Sequence, residues 1–224
     1  MADGTTLRDE LRDKTAHLHR ATESALDLMG PSVSLERYLS VLRVLHAVYS
    51  RIEPAILAHG GWTELGLDMK ARSKLPLLEA DIAFIESKLR DGQPGKTSSN
   101  AALASPRPPS PRPPSPEPSP RAPSPPDRAL DSFPAVLGAA YVVEGSTLGG
   151  AFIQRHISGL FGLAAGEGTR FFNCYGSDKG SRWKQFLEAL NRVQLDAGDR
   201  QRAADGAVGT FELLLGRARS VQPG

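Results

Sequence analysis

Cysteine is nearly absent: Cys174 is the single one in 224 residues. An intramolecular disulfide and an all-cysteine metal cage are therefore excluded, and the usage fits a reducing compartment. An excess of either charge is lacking too. Lys and Arg number 27 against 25 Asp and Glu, a net +2, which argues for neither a nucleic-acid partner nor a membrane surface. No apolar run approaches the roughly 18 residues that span a bilayer. The opening stretch M-A-D-G-T-T-L-R-D-E-L is charged and lacks the apolar core of a secretory leader. These absences lead us to expect a soluble, cytoplasmic protein.

Several catalytic signatures are missing as well. There is no phosphate-binding G-x-x-x-x-G-K-[ST], no dinucleotide fingerprint and no H-E-x-x-H pair among His17, His19, His46, His59 and His156. E-G-S-T-L-G, residues 144–149, lacks the final glycine of a nucleophile elbow. His17 and His19 would point to opposite sides of a helix and cannot share a metal, which argues against a zinc hydrolase. No segment alternates with period two for long enough to form a strand. The expected fold class is all-α, a single-domain helical bundle.

Helical periodicity is what the chain does have. Thr5 or Thr6 caps a first helix reaching about Met29, with Asp9 and Glu10 suited to its dipole and Gly30-Pro31 ending it. Ser34 opens a second helix, which Pro54 interrupts at Glu53. A third covers about Asp68 to Arg90, with Pro76 moving its start toward Lys74. Helical pattern resumes from Ala129 to Leu163, then from Ser181 to about Leu195 and from about Asp199 to Arg217. Between Asp91 and Ala129 the composition changes. Positions 106 to 126 hold 12 of the 18 prolines, in R-P-P-S-P repeats. Residues 92–127 are expected to be a disordered Pro/Ser/Arg-rich insertion within the one domain, tolerated because long loops add little closure entropy. A P-x-x-P ligand for an SH3-like partner is a rival use of the same tract.

Two stretches carry candidate chemistry. In Y-V-V-E-G-S-T-L-G-G, residues 141–150, glycine inside a helical pattern costs about 1 kcal/mol against alanine. Gly138, Gly145 and Gly149 fall on one helix face, where missing Cβ atoms admit close approach. On spacing alone this favours a packed second helix; the sharper reading is a flat ligand across the helix, with Ser146 turned toward it. On the first helix a line of Arg12, Thr15, His19 and Glu23 runs beside the apolar stripe. A lone histidine there is usually a satisfied boundary residue. With Arg12 two turns before it and Glu23 one turn after, it also describes an axial ligand beside a carboxylate-binding cation.

L-R-D-K-T-A-H-L-H-R-A-T-E, residues 11–23, resembles the proximal helix of haem oxygenases, with Thr15, His19 and Glu23 matching. Y-V-V-E-G-S-T-L-G-G is similar to the distal helix of the bacterial haem oxygenases that accompany bacteriophytochromes. F-F-N-C-Y-G-S-D-K-G-S-R-W-K-Q-F and the late T-F-E at 210–212 resemble later segments of that subfamily.

The resemblance implies haem (iron protoporphyrin IX) as both cofactor and substrate, opened to biliverdin with release of CO and ferrous iron. It implies O2 and an external electron donor, a reductase or ferredoxin, with a bacteriophytochrome as a user of the biliverdin. It implies His19 as the iron ligand, with Arg12, Thr15, Glu23, Tyr141, Gly145, Gly149, Gly150 and Lys184 around the haem, and Gly145, Ser146 and Gly149 at the catalytic face. Arg12 and Lys184 would take the propionates. Ser146 stands where the animal enzymes carry an aspartate. The competing expectation is a non-catalytic haem-binding or haem-shuttling protein of the same fold.

Overall fold

The computed structural model describes residues 5–92 and 130–221, and every regular element among them is helical. Apart from Gly92, the Pro-rich tract lies outside the described residues. Thr6 caps α1 (Leu7–Leu26), its side chain accepting from Asp9 N at 3.2 Å. Ser34 caps α2 (Leu35–Ala58) by accepting from Arg37 N at 3.1 Å. A short α3 (Gly61–Glu64) and a 3-10 turn at Lys70–Arg72 lead into α4 (Leu75–Asp91). α5 (Phe133–Gly145) and α6 (Gly150–Phe161) follow, then α7 (Lys179–Arg192) and α8 (Ala197–Arg219).

Two expectations from periodicity need correction. Pro54 does not interrupt α2, which runs on to Ala58. A proline inside a helix costs about 3 kcal/mol; continuing the helix buries Ile52, Glu53 and Ile56, and burying one such aliphatic side chain is worth about 1.5–3 kcal/mol. The helical stretch from Ala129 to Leu163 is two helices, bent by 42° at residues 146–149. The third helix starts at Leu75 after an N-cap at Lys74, the start that Pro76 predicts, with the proline in its first turn where a missing N–H costs nothing.

α5 is the central element. From Ala135 to Ala140 every residue is buried, so the helix carries no solvent face there. It packs on α8 through small residues. A Cβ on Gly138 would lie 1.8 Å from the Ala203 carbonyl oxygen, and one on Gly206 would lie 2.0 Å from that of Ala135. The two backbones therefore touch, which only glycine at both positions allows. α8 also packs along α1, while α1 and α5 make little contact with each other. α8 thus forms a floor with α1 and α5 standing on it side by side. Among the described residues, no single helix is long and apolar enough to cross a membrane.

Candidate functional site: a cleft between α1 and the broken α5–α6 helix

Two contacts set the register of the cleft walls. Burial raises the Tyr141 phenol pKa; Arg8 and Arg12 on α1 pull against that rise and Asp9 and Asp13 add to it, so the charged first turns of α1 lie on the Tyr141 side. At the other end, His156 Nε2 on α6 lies 3.1 Å from the Gly30 carbonyl oxygen, just after α1. α1 therefore runs beside α5 and α6, and His19 falls abreast of the break at 146–149.

On the α1 wall the His19 side chain is 52% exposed, with its Nδ1 3.6 Å from Glu23 Oε2. Its ring meets Phe211 of the α8 floor edge-on, centroids 5.7 Å apart. His17 is exposed elsewhere on the helix. Arg12 is exposed and pairs with Asp9 at 3.1 Å and Asp13 at 3.0 Å. Thr15 is placed differently from the line drawn on the sequence. It is buried, and its hydroxyl donates to the Leu11 carbonyl at 2.6 Å. An intrahelical bond of this kind satisfies a buried threonine and turns it away from a ligand.

The opposite wall divides the glycines by role. Gly138 and Gly150 are packing glycines; a Cβ on Gly150 would lie 2.2 Å from the Phe172 carbonyl oxygen. The bland reading of the glycine face, a packed second helix, thus holds at Gly138; Gly150, outside that face, packs on the turn at Phe172. Gly145 faces the Trp183 ring at an ordinary 3.6 Å, and nothing lies within 4 Å of a Cβ on Gly149. Leu148 and Phe152 beside it are exposed, Phe152 to 63%. Trp183 also packs on Tyr141, ring centroids 5.7 Å apart. The adjacent Lys184 side chain is 79% exposed and stands 3.9 Å from Glu188.

Ser146 sits in the break with its hydroxyl committed. It donates to the Val143 carbonyl at 2.9 Å and lies 3.1 Å from the Tyr49 hydroxyl. Since the serine proton is used, Tyr49 is the donor to Ser146 Oγ. Burial pushes the Tyr49 phenol well up, so Tyr49 keeps its proton.

Sequence reasoning missed what anchors this break. Glu144, with 1% of its side chain exposed, is bound by Arg72 Nη1 and by Lys74 Nζ at 2.7 Å, both equally buried. Tyr175 donates to the same carboxylate at 2.9 Å. Arg72 reaches on to Gln185 Oε1 of α7 at 2.7 Å and to the Arg182 carbonyl at 3.3 Å. Glu53 closes the turn from beneath, accepting from Lys74 N at 2.6 Å and Ser73 Oγ at 2.7 Å. The residue before Gly145 is thereby tied to three other segments. The one available signal was a glutamate in an otherwise apolar α5. A buried carboxylate demands partners, but sequence does not say which of the chain's cations supply them.

Two cavities lie away from this cleft. One, of about 560 Å³, is lined by Ile52, Ala55, Leu130 and Leu213 among others; one of about 580 Å³ is lined by Gly61, Phe133 and Val193 among others. His19 lines neither.

Comparison with known proteins bears on this geometry. Residues 127–216 match the family model described as heme oxygenase. No curated protein sequence matches the chain. The haem oxygenase of Leptospira interrogans superimposes with a TM-score of 0.69 at 17% identity, over 97% of this chain and 100% of that one. That of Neisseria meningitidis, in its NO- and CO-bound forms, gives 0.69 at 18% identity over 97% and 92%. Haem oxygenase-1 of Synechocystis, in complex with haem, gives 0.65 at 17% over 97% and 93%. This chain has the haem oxygenase fold. In this fold α8 packs along both α1 and α5, and the His19 imidazole of α1 meets the Phe211 ring of α8.

The residues present fit a haem. Haem needs a neutral nitrogen ligand on one face, flat apolar walls and cations at one edge. His19 is half exposed and packs on Phe211. Gly149 has free space above it, Leu148, Phe152 and Phe211 are apolar, and Arg8 and Arg12 lie near Tyr141 at one end.

Proposed function

We propose that the protein is a haem oxygenase that binds haem between α1 and the α5–α6 break and opens it to biliverdin, releasing CO and ferrous iron. The observation that carries this reading is His19 half exposed on α1 and packed edge-on against Phe211 of α8, with open space beside Gly149 at the α5–α6 break. Haem supplies the iron on which O2 is activated and is itself the substrate.

The chain's own residues do the rest. His19 would hold the iron through Nε2, with the Glu23 carboxylate 3.6 Å from Nδ1 placed to orient the ring. Arg12, Lys184 and Arg8 take the propionate carboxylates by charge-assisted bonds, which fix the ring's rotation. Tyr141 and Trp183 close that edge. Gly145 and Gly149, without side chains, would let the backbone of the break lie close over a bound ring and narrow the space on that face. Ser146, its proton spent on Val143 and its oxygen held by Tyr49, keeps acceptor capacity for one ordered water. Reducing equivalents come from an external reductase or ferredoxin-type donor. A bacteriophytochrome is the proposed consumer of the biliverdin.

The test is single-turnover chemistry. With stoichiometric haem, reductant and O2, the red-brown complex turns green, and free iron and CO appear. His19→Ala loses the normal ferric and ferrous spectra and the green product, while His17→Ala keeps both. Added imidazole restores an axial ligand to His19→Ala. Haem binding through His19 without any green product would make the protein a haem carrier. Retention of the spectrum by His19→Ala, with its loss in His17→Ala, would put the wrong face of α1 toward the cleft.

A further inference from the structure

The end of α1 that follows His19 is weakly provided for by its own sequence. No basic residue lies in its last turn, and it stops at Asp27 in the left-handed region at φ 44°. The Glu23 carbonyl accepts from Asp27 N at 3.0 Å, and the carbonyls after it have no intrahelical donor. The apolar contacts there form a small cluster, Ala25, Val44, Leu215 and Ala218, in which the two alanines supply little area.

Arg37, in the first turn of α2, supplies what is missing. Its Nη2 donates to the Ala25 carbonyl at 2.9 Å and to that of Leu26 at 3.0 Å. Its Nη1 donates to the Val221 carbonyl at 2.8 Å, just beyond the end of α8. One planar fork thus caps the C-terminal ends of two helices, and cations are favoured at both. A cation is unfavourable at the N-terminal end of α2, where Arg37 itself resides. The guanidinium is therefore placed against its own helix dipole and serves the other two. Those two helices carry His19 on one and the Phe211 ring that meets it on the other.

We propose that Arg37 is a positioning residue for the ligating wall: it holds the ends of α1 and α8 together and so sets where His19 stands over the α8 floor. The haem side of this proposal rests on the function proposed above; the clamp itself does not.

The experiment compares wild type, Arg37→Met and Arg37→Lys as full-length chains. Amide hydrogen exchange is followed in the haem-free protein and haem release to excess apo-globin in the loaded one. The ferrous iron–histidine stretching band is recorded alongside. In Arg37→Met, exchange in the last two turns of α1 and the last turn of α8 rises at least about tenfold, the effect of one lost charge-assisted bond, with α4 unchanged. Haem release accelerates by at least about the same factor, and the stretching band shifts or broadens. Arg37→Lys, which keeps the charge but not the fork, returns part of each effect. Unchanged exchange at the end of α1 overturns the proposal. So does an equal rise in every helix, α4 included, which would make Arg37 a general stabiliser. Release and band position unchanged while α1 exchange rises would overturn its positioning role. Wild type that binds no haem would sink the proposed function, and the exchange measurement would still decide the clamp.

Discussion

Replacing Glu144 by glutamine should cost this protein more stability than removing either of the cations that bind it. Arg72, Lys74 and Glu144 each have 1% of their side chains exposed, so none can turn to water when a partner is lost. Glu144→Gln leaves two buried cations side by side with an amide in place of the carboxylate. Breaking a buried pair from one side costs about 3–5 kcal/mol. At about 2–4 °C per kcal/mol for a chain of this size, the melting temperature should fall by roughly 6–20 °C. Lys74→Met is different, because Arg72 and Tyr175 still serve the carboxylate. The remaining Glu144–Arg72 pair is balanced, and the loss is that of hydrogen bonds to a charged group, about 1.5–3 kcal/mol. Urea unfolding of both variants, with the double variant closing the cycle, measures the coupling. Equal losses, or a milder effect for Glu144→Gln, would refute the view that the carboxylate is the hub of the cluster.

Gly138→Ala drives a methyl group into the Ala203 carbonyl and should destabilise by about 1–3 kcal/mol or more. Gly149→Ala meets nothing and should leave the melting temperature within a few degrees, while Gly149→Leu should keep the fold and block haem; calorimetry with haem titration separates the three. Burial pushes the Cys174 thiol above its ordinary value, so less of it is thiolate at pH 8. Iodoacetamide should label the native protein more slowly than the urea-unfolded chain, and equal rates would contradict the packing around residues 171–175.

What the sequence determined by itself is whatever depends on near neighbours. Periodicity and caps placed the helices, because Thr6 and Ser34 satisfy orphan N–H groups within three residues of themselves. The spacing of His19 and Glu23 was legible for the same reason: a helix turn brings i and i+4 together whatever surrounds it. The glycines were legible as a face but not as roles. Gly138 and Gly150 lie against the backbones of Ala203 and Phe172, and Gly149 faces open space. That division depends on which distant segment comes to rest there. Pro54 likewise looked like a stop until burial of its neighbours overrode the local penalty. Thr15 looked like part of the His19 line, but packing buries it and its hydroxyl turns back to Leu11. Tertiary structure alone decided the partners of Glu144, the donor to Ser146 and the two helix ends that Arg37 caps. Each joins residues separated by 11 to 184 positions. A hydrogen bond across such a separation leaves no periodic trace in the chain, since its geometry exists only once the helices have packed.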